Sequence, residues 1–206
     1  IKGNVEIGDT NYFVTEACEY MDSFLHLTPN IGVLLNIDSD HLDYFKDMDH
    51  IVKSFKEFVS NIPKKGIIIA YGENPFVKEA LRGLNNVITY GYTDSNDFYA
   101  ENVSFDDGGF PEYDICHEGK VLCHLHLGVP GEHNVLNSMA AYVTARYLGV
   151  SDDVIAGTLK SFKGTHRRFD FTGVTKKGVK IVDDYAHHPT EIKATLSAAS
   201  KVKHNK

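Results

Sequence analysis

Three short apolar runs limit what this chain can fold into: Ile31-Gly32-Val33-Leu34-Leu35, Gly66-Ile67-Ile68-Ile69-Ala70-Tyr71 and Val87-Ile88-Thr89-Tyr90. Each has the length and β-branched content of a buried strand. Between the first two, residues 49–62 place Ile51, Phe55, Phe58, Val59 and Ile62 on one face at helical spacing, and Pro63 and Gly66 end the run. Asn74-Pro75 opens a second helix over residues 76–84, with proline in its first turn. Strands that alternate with helices predict a parallel sheet, because parallel neighbours need a crossover between them. Tyr12-Phe13-Val14-Thr15 has strand composition and is expected to be a further strand.

The pattern changes after residue 96. Residues 97–105, 113–117 and 121–127 alternate apolar and polar, and are separated by Asp107-Gly108-Gly109 and Glu118-Gly119-Lys120. These read as hairpin strands of a small antiparallel sheet packed beside the main one. Asn134 is suited to cap a helix running to about Leu148, with Leu136, Met139, Ala140, Val143 and Tyr147 inward and Gly149 as its stop. Ser151 caps the next helix, which ends near Phe162. A domain boundary is expected there, dividing the chain into residues 1–164 and 165–206. The second part holds a strand at 180–182 and a helix over 189–199. Residues 201–206 have too little apolar content to be held down.

The 206 residues, 42% hydrophobic and 24% charged, suit one domain and part of another. A net charge of −7 with no basic, aromatic-interleaved patch argues against nucleic acid and anionic membrane surfaces as partners. No apolar run approaches the ~20 residues of a membrane span. The polar, Gly-rich opening has no signal-peptide pattern, lacks an initiator Met and is expected to continue upstream. Cys18, Cys116 and Cys123 have no metal spacing and read as reduced thiols of a cytoplasmic protein.

Chemistry gathers at strand exits. After residues 31–35 comes Asn36-Ile37-Asp38-Ser39-Asp40-His41-Leu42-Asp43-Tyr44-Phe45. Ligands collect beyond the carboxyl ends of strands in open α/β sheets. The acids and His41 therefore fit either turn-and-cap duty or a metal site. Glu16 and Glu19 follow the expected strand at 12–15, where an acid in the first turn of a helix is the plainer reading. His124 and His126 share a strand face, and His187 and His188 are adjacent; neither pair has the spacing of a zinc cluster. Lys56 lies on the outer face of its helix and reads as a solvated lysine.

The Asn36 to Phe45 string resembles the strand-end motif of the Mur ligases. Gly131-Glu132-His133-Asn134-Val135-Leu136-Asn137 is similar to that family's adenine motif, and Thr165-His166-Arg167-Arg168-Phe169 to its interdomain arginine segment. Asp183-Asp184-Tyr185-Ala186-His187-His188-Pro189-Thr190-Glu191 is the most specific string of the set. The resemblance implies an α/β fold: a mostly parallel sheet flanked by helices with a small antiparallel subsheet, then the first strand–helix unit of a Rossmann-like C-terminal domain. It implies ATP as cosubstrate and Mg²⁺, with Mn²⁺ able to replace it, bound by Glu16 and His41. It implies that His133, Asn134 and Asn137 meet the adenine, Arg168 the phosphates, Asp184 the ribose and Tyr185 the nucleotide site, while His187 faces the substrate pocket. Arg168 and His187 are the implied catalytic residues.

The implied activity is ATP-driven amide formation, in the branch that joins L-alanine to the carboxylate of UDP-N-acetylmuramate through an acyl phosphate. No Gly-x-x-x-x-Gly-Lys-Thr loop occurs in the 206 residues. The chain is thus expected to be a piece of such an enzyme, inactive by itself. Two rivals stand beside this reading: a murein peptide ligase that attaches a tripeptide to the same sugar, and a non-catalytic nucleotide-binding module.

Overall fold

Residues 31–126 build one continuous sheet of six strands, in the order β1 (Ile31–Leu34), β2 (Ile67–Tyr71), β3 (Val87–Gly91), β4 (Phe98–Phe105), β5 (Pro111–His117) and β6 (Lys120–His126). The coordinates are a computed structural model that describes residue 8 and residues 11–203. The opening at residues 1–7 and the final residues 204–206 lie outside the described part, so the reading of that opening has no structural counterpart. β1 to β4 pair in parallel, with α1 (Met48–Ser60) and α2 (Pro75–Ala80) as crossovers before β2 and β3. Asp47 caps α1 by accepting from the His50 amide at 2.9 Å, and Asn74 caps α2 by accepting from the Phe76 and Val77 amides. α2 is shorter than its apolar spacing suggests; residues 81–84 leave the helix in turns, with Gly83 at φ +88°.

The strand period sorts the core. Ile68 and Ala70 point into one layer with Phe24, Leu34, Phe58, Val59 and Val77. Ile69 points into the other, with Tyr90, Tyr113, Ile115 and Leu125. That second layer is closed by α3 (His133–Tyr147) and α4 (Asp152–Ser161), which contribute Val135, Met139, Tyr142, Val143 and Ile155. Ile68, Ile69 and Ala70 are completely buried, so an unbroken apolar run is what a central strand covered on both faces requires.

Several expectations are corrected. Residues 12–15 form no strand; Phe13 and Val14 are 89% and 93% exposed. Strand composition becomes a strand only where a neighbour takes its backbone bonds, and among the described residues none does. The hairpin strands do not pack beside the parallel sheet but extend it, β4 pairing with β3 through Tyr90–Phe98 and Gly91–Tyr99. Helix α3 begins one residue earlier than its expected cap: Glu132 holds the N-cap position, and Asn134 lies inside the first turn. Its buried face is carried by Val135, Met139, Tyr142 and Val143, while Tyr147 is 48% exposed.

Beyond α4, β7 (Asp170–Val174) and β8 (Lys180–Asp183) form a separate antiparallel pair, followed by α5 (Pro189–Lys201). β7 escaped sequence reading because it is largely exposed and interrupted by a bulge at Gly173, which leaves no alternation to see. Residues 201–203 are held: Lys203 donates from its amide to Asp107 O at 2.8 Å and from its ammonium to the Asp107 carboxylate at 2.7 Å. No described helix is long and apolar enough to cross a membrane.

Candidate functional site

The segment after β1 is crowded with acids, and hydrogen bonding divides them. Asp43 accepts from Tyr20 Oη at 3.0 Å. Asp22 accepts from Tyr44 Oη at 2.5 Å and, closely, from Ser54 Oγ. Asp47 is the α1 cap. Asp38 accepts from the Ser39 amide at 2.7 Å and from Thr190 Oγ1 at 2.8 Å; the Thr190 bond foremost, then the Ser39 amide, holds its carboxyl below the usual carboxylate range. Each of these acids has a structural duty.

Asp40 uses one oxygen to accept from the His41 amide at 2.7 Å, and its other oxygen, like Glu19, faces the His41 ring. Glu19 Oε1 lies 3.5 Å from His41 Nε2, and Asp40 Oδ2 lies 3.9 Å from it. One ligand atom from each of the three falls within 4.8 Å of the others. The backbone makes this convergence. Met21 and Asp22 take left-handed conformations (φ +53° and +56°) at the start of the 3₁₀ helix Tyr20–His26, and His41 does the same at φ +52°. The Tyr20 ring stacks at a tilt 4.8 Å from the His41 ring. Two carboxylates and an imidazole fit a divalent cation: oxygen donors suit Mg²⁺, and the nitrogen suits Mn²⁺ or Zn²⁺.

Glu16, expected as the partner of His41, is exposed and outside this group, although it lines the same cleft. The acid set against His41 is Glu19. Spacing alone does not separate the two glutamates, because the choice is made by the left-handed pair that follows Glu19.

A cleft of about 1770 Å³ runs from Glu16, Glu19 and Asp40 past the β1 exit to the start of α3 and on to the segment around Asp184. His133, Asn134 and Asn137 line it from α3. Asn134 donates to Pro130 O at 2.7 Å and accepts from Asn137 Nδ2 at 3.2 Å, so one donor of the Asn137 amide orients its neighbour. His133 is exposed at the cleft, with only part of its ring desolvated by neighbouring protein. That desolvation pushes its pKa below the ordinary histidine value; Asp184 opposes the shift and Arg168 adds to it.

Arg168, Asp184, His188, Thr190 and Glu191 line the opposite wall. Asp184 is oriented by two amides, Phe169 N and Ala186 N, each at 2.8 Å. Arg168 Nη1 donates to Glu191 Oε1 at 3.3 Å. Burial pushes the Glu191 carboxyl up, but the His187 and His188 amides and Arg168 outweigh it and hold the group low.

Tyr185 and His187 lie off the cleft wall. Tyr185 is 52% exposed under the Arg167 guanidinium, 4.5 Å from its ring, and His187 donates to Tyr185 O at 3.0 Å. The histidine of this pair that reaches the cleft is His188. The sequence offers no role for His188 beyond the zinc-pair reading and none for Thr190, because their partners lie about 150 positions away and leave no local signal. Lys56 is exposed on α1, and His124 and His126 sit on the outer strand face beside Asp114 and Glu112.

Similarity to known proteins agrees with this arrangement. Residues 4–145 match the model of the Mur ligase middle domain, and residues 167–206 match that of the Mur ligase glutamate ligase domain. The UDP-N-acetylmuramate–L-alanine ligase of Alkaliphilus metalliredigens is 50% identical over 100% of this chain and 45% of its own length. The chain therefore spans a little under half the length of the curated relatives it matches. Among solved structures, the UDP-N-acetylmuramate-alanine ligase of Thermotoga maritima superposes with a TM-score of 0.74 at 26% identity, covering 88% of this chain and 40% of that one. A murein peptide ligase of Psychrobacter arcticus superposes with a TM-score of 0.65 at 28% identity, covering 87% and 36%. With a family model matched along most of its length and a sheet that superposes on solved members, the chain belongs to the Mur ligase family.

Proposed function

We propose that this chain forms part of an ATP-dependent ligase that joins L-alanine to the carboxylate of UDP-N-acetylmuramate. The observation that carries the reading is the single cleft that gathers Glu19 and Asp40 of the cation cluster, the α3 amides and the Arg168–Asp184 wall. Residues 1–164 supply the later part of a nucleotide-binding domain, and residues 165–206 begin the domain that receives the amino acid. The setting is cytoplasmic, where the nucleotide and the sugar precursor are made.

The chemistry then follows from charge and position. The muramoyl carboxylate attacks the γ-phosphorus, the bond to the β–γ bridging oxygen breaks, and ADP leaves. The alanine amine attacks the resulting acyl phosphate, loses a proton, and the tetrahedral intermediate expels inorganic phosphate. Such a transfer depends on charge neutralisation and alignment. Arg168 is suited to the phosphate oxygens by its planar, permanently charged fork. Side-chain amides at Asn134 and Asn137 offer the donor and acceptor that an adenine edge needs, with His133 beside them. Asp184 is preset by two amides to accept from ribose hydroxyls. Tyr185 and His187, off the cleft wall, belong to the segment beside Asp184 and are read as facing nucleotide and substrate respectively. A divalent cation held by Glu19, Asp40 and His41 would supply neutralisation of the phosphate charge.

The murein peptide ligase reading shares every element above except the amine. Identity of 50% to alanine-adding ligases along the whole chain supports alanine, while the solved alanine and peptide ligases lie at similar identity, 26% and 28%. The test is product formation by a full-length ligase carrying this chain. Alanine should support ADP release and the tripeptide should not; the reverse preference would move the assignment to the rival. The 206 residues alone, lacking a phosphate loop, should release no ADP with alanine. Alanine-dependent turnover by that piece would contradict the division of labour proposed here.

A further inference from the structure

The loop that carries Asp40 and His41 is held from two sides. On the side of the sheet, Asn74 Nδ2 donates to Ile37 O at 3.3 Å while its Oδ1 caps α2. On the other side the first turn of α5 grips the next two residues. His188 Nε2 donates to Ser39 O at 2.9 Å, and Thr190 Oγ1 donates to the Asp38 carboxylate at 2.8 Å. The His188 ring is fixed for this task. Its Nδ1 accepts from the Thr190 amide at 3.3 Å, which leaves the proton on Nε2, and Glu191 completes the capping box by accepting from the His188 amide.

Helix α5 is also seated at its far end. Ala198 is buried against Gly131, where an added Cβ would lie 2.9 Å from the Ala198 methyl. Lys201 pairs with Glu132 at 3.2 Å and lies 3.7 Å over the Phe105 ring. One helix thus touches the start of α3, beside His133 and Asn134, and the loop of the cation cluster.

We propose that His188 and Thr190 are positioning residues for the cation-binding loop. Seating of α5 sets Asp38 and Ser39, and through them the geometry of Asp40 and His41 immediately downstream. The inference rests on the reading of Glu19, Asp40 and His41 as cation ligands. Its consequence is reciprocal: whatever tightens α5 on the loop tightens the cation, and the bound cation tightens α5 by the same factor.

The probe is Mn²⁺ alone, titrated into the 206-residue chain and into a full-length ligase carrying it, with the free ion followed by electron paramagnetic resonance. Thermal unfolding of each variant verifies that it is folded. Thr190→Val removes the hydroxyl at nearly constant volume and should weaken Mn²⁺ about three- to tenfold, the equivalent of one ordinary hydrogen bond, because the lost bond acts on the ion only through the loop. Thr190→Ser should restore wild-type affinity. Asp38→Asn, from the other side of the bond, should weaken Mn²⁺ to a similar extent, and the double variant should be no worse than either single one. Unchanged Mn²⁺ affinity in folded Thr190→Val and Asp38→Asn, while His41→Ala loses the ion, would overturn the positioning role and leave the cation site standing. Equal binding by His41→Ala would overturn the cation site and this inference with it.

Discussion

Of the acid–histidine groups among the described residues, two differ in how their bonds are satisfied. On the outer face of the antiparallel strands, Asp114 accepts from Asn102 at 2.8 Å through one oxygen and faces His124 Nδ1 at 2.8 Å through the other. Both oxygens are occupied across a strand ladder, and the Asn102 bond first, then His124, holds the Asp114 carboxyl low. Beside the cleft, Glu19 and Asp40 lie 3.5 and 3.9 Å from His41 Nε2 without a direct hydrogen bond between the side chains. The first cluster is finished by itself. The second presents converging lone pairs that a cation would complete. Residue type is the same in both, so what marks a site is convergence without mutual satisfaction.

The contrast can be broken by substitution. His41→Ala has the largest expected effect: Mn²⁺ affinity should fall by more than the roughly 10–100-fold that loss of an outer partner costs, and turnover of a full-length ligase should fall with it. Isothermal titration and steady-state ADP release measure the two. Glu19→Gln should cost about tenfold in Mn²⁺ affinity, and Glu16→Gln under about threefold, since only Glu19 faces His41. The opposite ranking would return Glu16 to the first position. His124→Ala should leave Mn²⁺ affinity unchanged, because its ring is engaged with Asp114; a loss there would make the strand face a second cation site.

The smallest effect belongs to Asp114→Asn, and it concerns acid stability. The folded pKa of Asp114 lies below its unfolded value, so in acid the unfolded chain takes up the proton first. The contribution is complete above the unfolded pKa, near 3.8, and is lost as pH falls through the lower folded value. Wild type and Asp114→Asn should therefore converge in thermal midpoint as the pH falls through that lower folded value, having differed slightly at neutral pH, as differential scanning calorimetry would register.

The parallel half of the sheet was legible because Ile67 to Tyr71 and the Ile51–Phe58–Val59 face encode their burial locally. The hairpins were legible as strands, but their attachment to β3 was not, because only two register pairs join them. Residues 12–15 misled because strand preference carries no information about whether a partner is present. Asn134 misled because a side chain suited to capping instead donates backward to Pro130 from inside the turn. Of the site, the acids and histidines were legible as a set. That Glu19 and not Glu16 faces His41, and that His188 and not His187 lines the cleft, was not, since these placements depend on backbone conformation at Met21 and Asp22 and on a distant loop.

Pulsed electron paramagnetic resonance of Mn²⁺ bound to this chain tests the central claim most directly. The account predicts coupling to one directly coordinated imidazole nitrogen, abolished in His41→Ala and retained in His188→Asn and His124→Ala. Bound Mn²⁺ without nitrogen coupling, or coupling that survives in His41→Ala, would contradict it.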